Sequence, residues 1–337
     1  MRMPTPAPAQ KAQPRLILAP MEGLADDALR AVLTASGHYD WCVTEFVRVT
    51  DSLLTVPHFT RICPELMTGA RTDGGTPVRL QLLGASPELM AANAALAATL
   101  DPFGIDINFG CPSPQVNRNR GGAALLEEPE LLHRILVAVR AAVPLALPVT
   151  AKMRLGIRDT EYTLDCARAL MEAGASELVV HARTKEDGYR PPARWEWIAH
   201  IRETVNIPVI ANGEVWSVAD YHAIRAATGC ADVMLGRGAV ADPLLAARIR
   251  SGTSCPDTEL DTDWPRIRPL IAEFWLRTQA KVAPQHAPGR LKQWLGMMRH
   301  RYPSAVPLFA DLRALRLPEE VDQSLRQHNI AKDVIGD

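Results

Sequence analysis

The stretch from Glu177 to Gly238, ELVVHARTKEDGYRPPARWEWIAHIRETVNIPVIANGEVWSVADYHAIRAATGCADVMLGRG, decides the fold. Three short apolar runs, at 178–181, 209–211 and 232–235, alternate with two stretches of helical period, at 195–204 and 218–228. Apolar residues recurring every three or four positions mark an amphipathic helix, and short Val- and Ile-rich runs mark strands. The runs lack the in–out alternation of a half-exposed strand, so both faces are buried, as in a parallel sheet.

Upstream the same unit repeats. Strands are predicted at 16–19, 41–44, 78–82, 105–108 and 149–153, and helices at 87–100, 131–143 and 162–173. Eight strands, most of them trailed by a helix, predict a (β/α)8 TIM barrel. A doubly wound open sheet is the competing architecture, and the near-regular spacing of eight units favours the barrel. From Ser251 the text changes to SGTSCPDTELDTDWP, a polar, acidic linker, and then to helical periods with no strand signal. We therefore expect a flexible Pro/Ala-rich tail at 1–14, a barrel domain at 15–252 and a small all-helical C-terminal domain at 253–337.

With 337 residues, 47% hydrophobic and 22% charged, the chain reads as globular. No apolar run approaches the roughly 18 residues of a membrane span. The first residues, MRMPTPAPAQKAQP, lack the apolar stretch of a signal peptide, so a cytoplasmic location with no membrane is expected. The six cysteines form no C-x-x-C pair and no metal spacing with histidine, which predicts free thiols and no metal. Net charge is −1, yet ten Lys and Arg face only Glu273 and Asp311 between Trp264 and Arg316, a local excess of +8. Such a block is the footprint of a polyanion partner, the bland alternative being a solvated helical surface.

In a barrel, function gathers at the C-terminal strand ends. Those ends carry Pro20-Met21-Glu22, Glu45 and Arg48, Gln81, Asn108 and Cys111, Lys152 and Arg154, His181 and Arg183, Asn212-Gly213-Glu214, and Gly236-Arg237. Packing alone does not need so many polar groups. The last two clusters lie where barrels hold phosphate, on loops after strands seven and eight with a helix N-terminus. Arg237 adds a group able to make paired charge-assisted bonds. GRGAVA also matches a dinucleotide fingerprint, but the first βα unit, where that fingerprint belongs, reads PMEG. A phosphate site is the better reading. Lys152, inside VTAKMRL, cannot be solvated unless it points into a site. Gln81 needs partners for a buried amide, which the edge of a heterocyclic ring would supply. His181 ends its strand facing inward, as a site residue or as a satisfied core histidine.

The most unusual placement is the thiol in DINFGCPSPQVNRNRGGAALL, residues 106–126. APMEG, TEF, QLLG, D-I-N-x-G-C-P followed by V-N and G-G-A-x-L-L, K-x-R-L-G, V-V-H-x-R-T, P-V-I-A-N-G-E and G-R-G-A occur in that order. With these motifs the chain resembles the tRNA-dihydrouridine synthase family from about Leu16 to Arg250. TEFVRV, RICPEL, TKEDGYR and GRLKQWLGMMR look most like its bacterial branch acting on the uridine at position 16. The resemblance implies FMN as bound cofactor, NADPH as reductant and tRNA as partner, in an enzyme working as a monomer. It makes Cys111 the acid that protonates C5 of the uracil while hydride reaches C6. Pro20, Met21 and Glu22 would line the flavin ring, with Gln81, Lys152 and His181 at its polar edge. Asn212, Gly213, Glu214, Gly236 and Arg237 would hold the phosphate. Arg48, Asn108 and Tyr189 would touch the base or nearby nucleotides, and Arg290, Lys292, Met297 and Arg313 the rest of the tRNA.

Reduction of an enone-like ring suits a thiol acid, which is mostly protonated at neutral pH. A cation beside the sulfur would lower its pKa, so Arg118 and Arg120 are expected to face RNA instead. The polar run 115–120 is read as an RNA-facing lid. Phe109 departs from the branch pattern, which has cysteine there, and is expected not to touch the acid. Two other classes compete, an FMN barrel reducing a free pyrimidine or enone and a non-catalytic RNA-binding barrel, and within the family the alternative is a dihydrouridine synthase acting on another tRNA position.

Overall fold

The computed structural model describes residues 13–118, 120–253 and 257–330. Most of the expected tail, Asn119 of the expected lid, Cys255 of the linker and the last seven residues lie outside them. Eight parallel strands close into a barrel in sequence order: β1 (Leu16–Leu18), β2 (Trp41–Arg48), β3 (Val78–Leu83), β4 (Ile105–Phe109), β5 (Val149–Arg154), β6 (Leu178–His181), β7 (Val209–Asn212) and β8 (Val233–Leu235). Pairing of β1 with β8, Ile17 opposite Met234, completes the ring. The open-sheet alternative is thereby excluded.

The strands were legible because nearly every residue in them is buried from both sides. Ile17, Trp41, Val43, Val179, Ile210 and Met234 pack inside the barrel, while Leu18, Leu80, Ile107 and Val180 pack outward against the helices. Three of the helices start where a side chain accepts a free amide of the first turn. Ser217 accepts from the Asp220 amide ahead of the helix Val218–Thr228, and Asp26 from the Leu29 amide ahead of Asp27–Thr34.

β2 is longer than its apolar run. It continues through Glu45, Phe46 and Arg48, with a register irregularity against β3 between Val43 and Phe46. Bulges bend strands and re-aim side chains, and this one lies just before Glu45 and Phe46, which line the cavity described below. At the opposite, N-terminal mouth, Arg79 bonds Glu177 and Arg15 bonds Asp232, both at 2.6 Å, closing the floor with ion pairs.

Four main helices follow the barrel: Trp264–Lys281, Ala287–Met298, Ala305–Leu312 and Pro318–Gln327. They pack onto it instead of hanging from a free linker. Asp261 accepts bonds from Ser304, Asp263 from Arg248 at 2.6 Å, and the Trp294 indole donates to the Val240 carbonyl at 2.9 Å. No helix among the described residues is long and apolar enough to cross a membrane.

Candidate active site

A cavity of about 490 Å³ opens at the C-terminal mouth. Every expected cofactor residue lines it: Pro20, Met21, Glu22, Gln81, Lys152, His181, Asn212, Gly213, Glu214, Gly236 and Arg237, together with Cys111, Asn108 and Tyr189. Arg154, Trp216 and Gln293 join them. Residues more than 200 positions apart meet there because β1 and β8 are neighbours.

Cys111 sits just past β4 in a loop held from three sides. The Asn117 amide donates to the carbonyls of Cys111, at 2.9 Å, and Ser113, at 2.7 Å. Arg154 donates to the Gly110 carbonyl, and the Ala123 amide to that of Cys111. Gly122 has φ of +61°, and a Cβ there would stand 2.9 Å from both Cβ and O of Cys111. Only glycine lets the next turn approach so closely. Asn117 is therefore a clamp on the thiol loop, and Val116 beside it is buried. Of the run expected to face RNA, Val116 and Asn117 thus turn inward, and Gln115 is exposed. Arg118 is exposed, and Arg120 pairs with Glu128 at the surface. Phe109 is fully buried in the main core, apart from the Leu83, Phe46 and Val116 cluster around Cys111.

Burial raises the Cys111 pKa above the ordinary thiol value, with a further push from Glu22. The Ser113 amide, Arg154 and Arg48 oppose it without reversing it. A thiol so placed stays protonated at neutral pH.

Gln81 is fully buried, but the protein already supplies partners for its amide. It donates to Asp106 at 2.6 Å and accepts from Asn108 at 2.8 Å. Asn108 in turn accepts from the Gly110 amide. This corrects the expectation that a ring edge must satisfy Gln81; one amide hydrogen and one lone pair remain for a ligand. Thr150 donates to the other oxygen of Asp106, whose carboxyl burial raises in pKa. Asp106 was missed, although it breaks an apolar strand as Lys152 does, and the same argument would have found it.

Lys152 makes no hydrogen bond to a described residue. Burial and the neighbouring Arg154 bring its pKa down to about 8. His181 is buried among Arg154, Lys152, Arg183 and Arg237, which with desolvation keep it neutral. Glu22 is pushed up to about 7 by burial and by Glu45.

Opposite Cys111 in the ring of strands, Gly213 takes φ of +124°, and a Cβ there would crowd His181 at 3.2 Å. A Cβ on Gly238 would strike the Val215 carbonyl at 1.9 Å. The loops after β7 and β8 thus lie backbone against backbone, further tied by Asn212 donating to the Met234 carbonyl. Glu214 faces the loop side, accepting from Arg183 at 2.6 Å. The Arg237 guanidinium stacks between Tyr189, at 4.2 Å, and Trp216, at 5.3 Å, with no hydrogen bond or ion pair to a described residue. Stacking orients it and leaves its donors free.

The cations expected to grip tRNA divide. Arg290 is engaged with the barrel, bonding the Gly23 and Leu24 carbonyls and the Asp26 carboxylate at 2.7 Å. Here it acts as a strut between the helix and the barrel. Lys292 bonds the Leu315 carbonyl at 2.6 Å, and Met297 is half-buried against the core. Arg313 is exposed. Arg48 lies at the end of β2, outside the cavity. Gln293, unmarked in the sequence, reaches the cavity from the second C-terminal helix and donates to the Gly23 carbonyl.

A closed parallel barrel with its polar groups at one mouth is the architecture of the (β/α)8 enzymes. Two solved structures share the fold at low identity. Histamine dehydrogenase from Rhizobium sp. 4-9 matches with TM-score 0.56 and 14% identity, over 95% of this chain and 63% of that one. An old yellow enzyme homologue from Zymomonas mobilis matches with TM-score 0.51 and 11% identity, over 73% and 94%.

Family membership comes from sequence. The dihydrouridine synthase family model matches residues 17–291. The tRNA-dihydrouridine(16) synthase of Aquipseudomonas alcaligenes is 53% identical over 92% of this chain and 98% of its own. That of Cupriavidus necator is 54% identical over 92% and 96%, and that of Neisseria meningitidis serogroup B 47% identical over 96% of each. The chain belongs to the dihydrouridine synthase family and is an oxidoreductase.

Proposed function

We propose that this protein reduces the uridine at position 16 of tRNA to 5,6-dihydrouridine, using bound FMN and NADPH, as a cytoplasmic monomer. The observation that carries the reading is a buried thiol, Cys111, whose pKa burial raises, in the wall of a cavity whose other walls suit a flavin. The fit rests on chemistry present in the chain. Gly213 and Gly238 let the loops after β7 and β8 close backbone to backbone at the cavity wall, and Arg237 beside them offers unused donors for a phosphate. Lys152, half-buried in the cavity wall with no hydrogen bond to a described residue, offers a cation for the electron-rich edge of the ring, and Gln81 a fixed amide beside it.

FMN held there and reduced by NADPH would supply the hydride that reaches C6 of the uracil. Cys111 delivers the proton to C5, and the Asn117, Arg154 and Gly122 contacts hold the thiol loop still while it does so. Neutral His181 can donate or accept a hydrogen bond without adding charge. Tyr189 and Asn108 border the space left for the base. The base must leave its stack to enter, and we assign the exposed cations of residues 253–337, Arg313 among them, to the phosphates of the same tRNA.

The test is incubation of the purified protein with NADPH and unmodified tRNA, with dihydrouridine mapped by position. Product at position 16 is expected, and product only at position 20 overturns the positional assignment. Cys111→Ala should keep its flavin and oxidise NADPH while losing about 10²–10⁴-fold in product formation. Full product from this variant removes Cys111 from the acid role.

A further inference from the structure

A second cavity, of about 340 Å³, lies beside the first. Glu22, Phe46 and Ser113 line both, so the two share a wall formed by the β1 loop, the end of β2 and the Cys111 loop. Its chemistry differs from that of the first. Arg48, Arg61 and His58 face it with Glu22 as the single acid, and Leu54 and Ile62 give it an apolar side. Arg61 makes no hydrogen bond or ion pair among the described residues, and Arg48 makes only a long one, 3.3 Å to the Gln115 carbonyl. Two guanidinium groups with donors to spare, beside an apolar surface, suit a phosphate joined to a ribose and base.

We propose that this second cavity binds the nucleotide joined to the uridine in the first, with Arg48 and Arg61 on its phosphate and Leu54 and Ile62 against its ribose or base. The inference rests on the reading that the first cavity takes a uridine of RNA. A nucleoside phosphate could also come from the dinucleotide reductant. Position favours RNA: the cavity borders the thiol loop, where the base is protonated, and none of Asn212, Gly213, Glu214, Gly236 or Arg237 lines it. Single-stranded RNA is recognised in this way, by splaying neighbouring bases onto separate side-chain surfaces.

The test uses the flavin-loaded protein and Arg61→Ala. Arg61 is exposed on the last turn of the short helix Val56–Ile62, so the fold should tolerate its loss. We expect tRNA affinity, read by fluorescence anisotropy, to fall 3- to 10-fold, an order-of-magnitude loss for one phosphate contact, and the log–log salt slope to shrink by about 0.7. Arg61→Lys should restore that slope, and flavin content should match the wild type. In tRNA carrying 2-aminopurine on either side of the target, the wild type should brighten one probe as it leaves the stack. Unchanged affinity and slope in Arg61→Ala, or no response from either probe, overturns the proposal. A raised KM for NADPH with unchanged tRNA binding assigns the cavity to the reductant and also overturns it. A wild type that binds tRNA but forms no dihydrouridine fails the parent reading, and the proposal with it, and is recognised by product alone.

Discussion

Lys152 lies in β5 between Ala151 and Met153, both wholly buried, and carries a charge that no described residue hydrogen-bonds. Its pKa of about 8, against an ordinary 10.5, means that the folded protein holds the ammonium less readily than the unfolded chain. Between those values the unfolded state binds more protons, so this residue opposes folding fully below pH 8 and progressively less up to 10.5. Lys152→Met should therefore stabilise the flavin-free protein at pH 7 by on the order of 2 kcal/mol while weakening flavin retention. The gain should shrink as pH rises past 8. A gain that stays constant to pH 10.5 in denaturant titrations would show that the charge is not buried. A residue that costs stability where it stands is the kind that function retains. Such residues were legible from sequence: a cation inside an apolar strand is anomalous without any knowledge of its neighbours. The orientation of Gln81 was not legible, because Asp106 and Asn108 reach it only through the pairing of β3 with β4.

At the scale of elements, the loop after β1 and the helix Ala287–Met298 behave as one unit. Arg290 bonds two carbonyls and a carboxylate of residues 23–26, and Gln293 a further carbonyl contact, so this helix braces the loop that carries Pro20, Met21 and Glu22. Arg290→Ala should lower stability by about 1–3 kcal/mol, since it leaves a half-buried Asp26 without its ion-pair partner. The salt slope of tRNA binding should stay at the wild-type value. A slope reduced by about 0.7 would return Arg290 to the phosphate contacts. Sequence showed the helix and its charge but not its target. Likewise the apolar run predicts that β2 ends at Thr44, whereas pairing with β3 carries it on to Arg48 past the irregularity.

Across the whole molecule, the basic block has two uses. Arg277, Lys281 and Arg290 pair with Asp73, Asp27 and Asp26 of the barrel, and Arg266 pairs with Asp263. Part of the +8 excess thus joins the helices to an acidic barrel, and Arg313 and Arg316 remain exposed for a polyanion. Arg248, Asp242, Asp263 and Tyr302 add a buried network across the same boundary, with the Tyr302 hydroxyl 2.6 Å from Asp242. So tied, barrel and helices should unfold in a single transition. Near- and far-ultraviolet circular dichroism should then give one midpoint in urea. Two separated midpoints would show that the helical region is an independent unit.

The sequence by itself determined the barrel, its strand order and the residues at its active mouth. Strands buried on both faces and polar groups at their ends are local patterns, written without reference to distant residues. The family motifs determined the thiol as the residue to watch. Tertiary structure alone decided how these groups face one another: the Asn117 and Gly122 hold on Cys111, the aromatic clamp on Arg237, the turning of Arg290 inward and the second cavity beside the first. Each depends on which loops the closed ring of strands makes neighbours. That closure is a property of the whole chain, which no window of sequence contains.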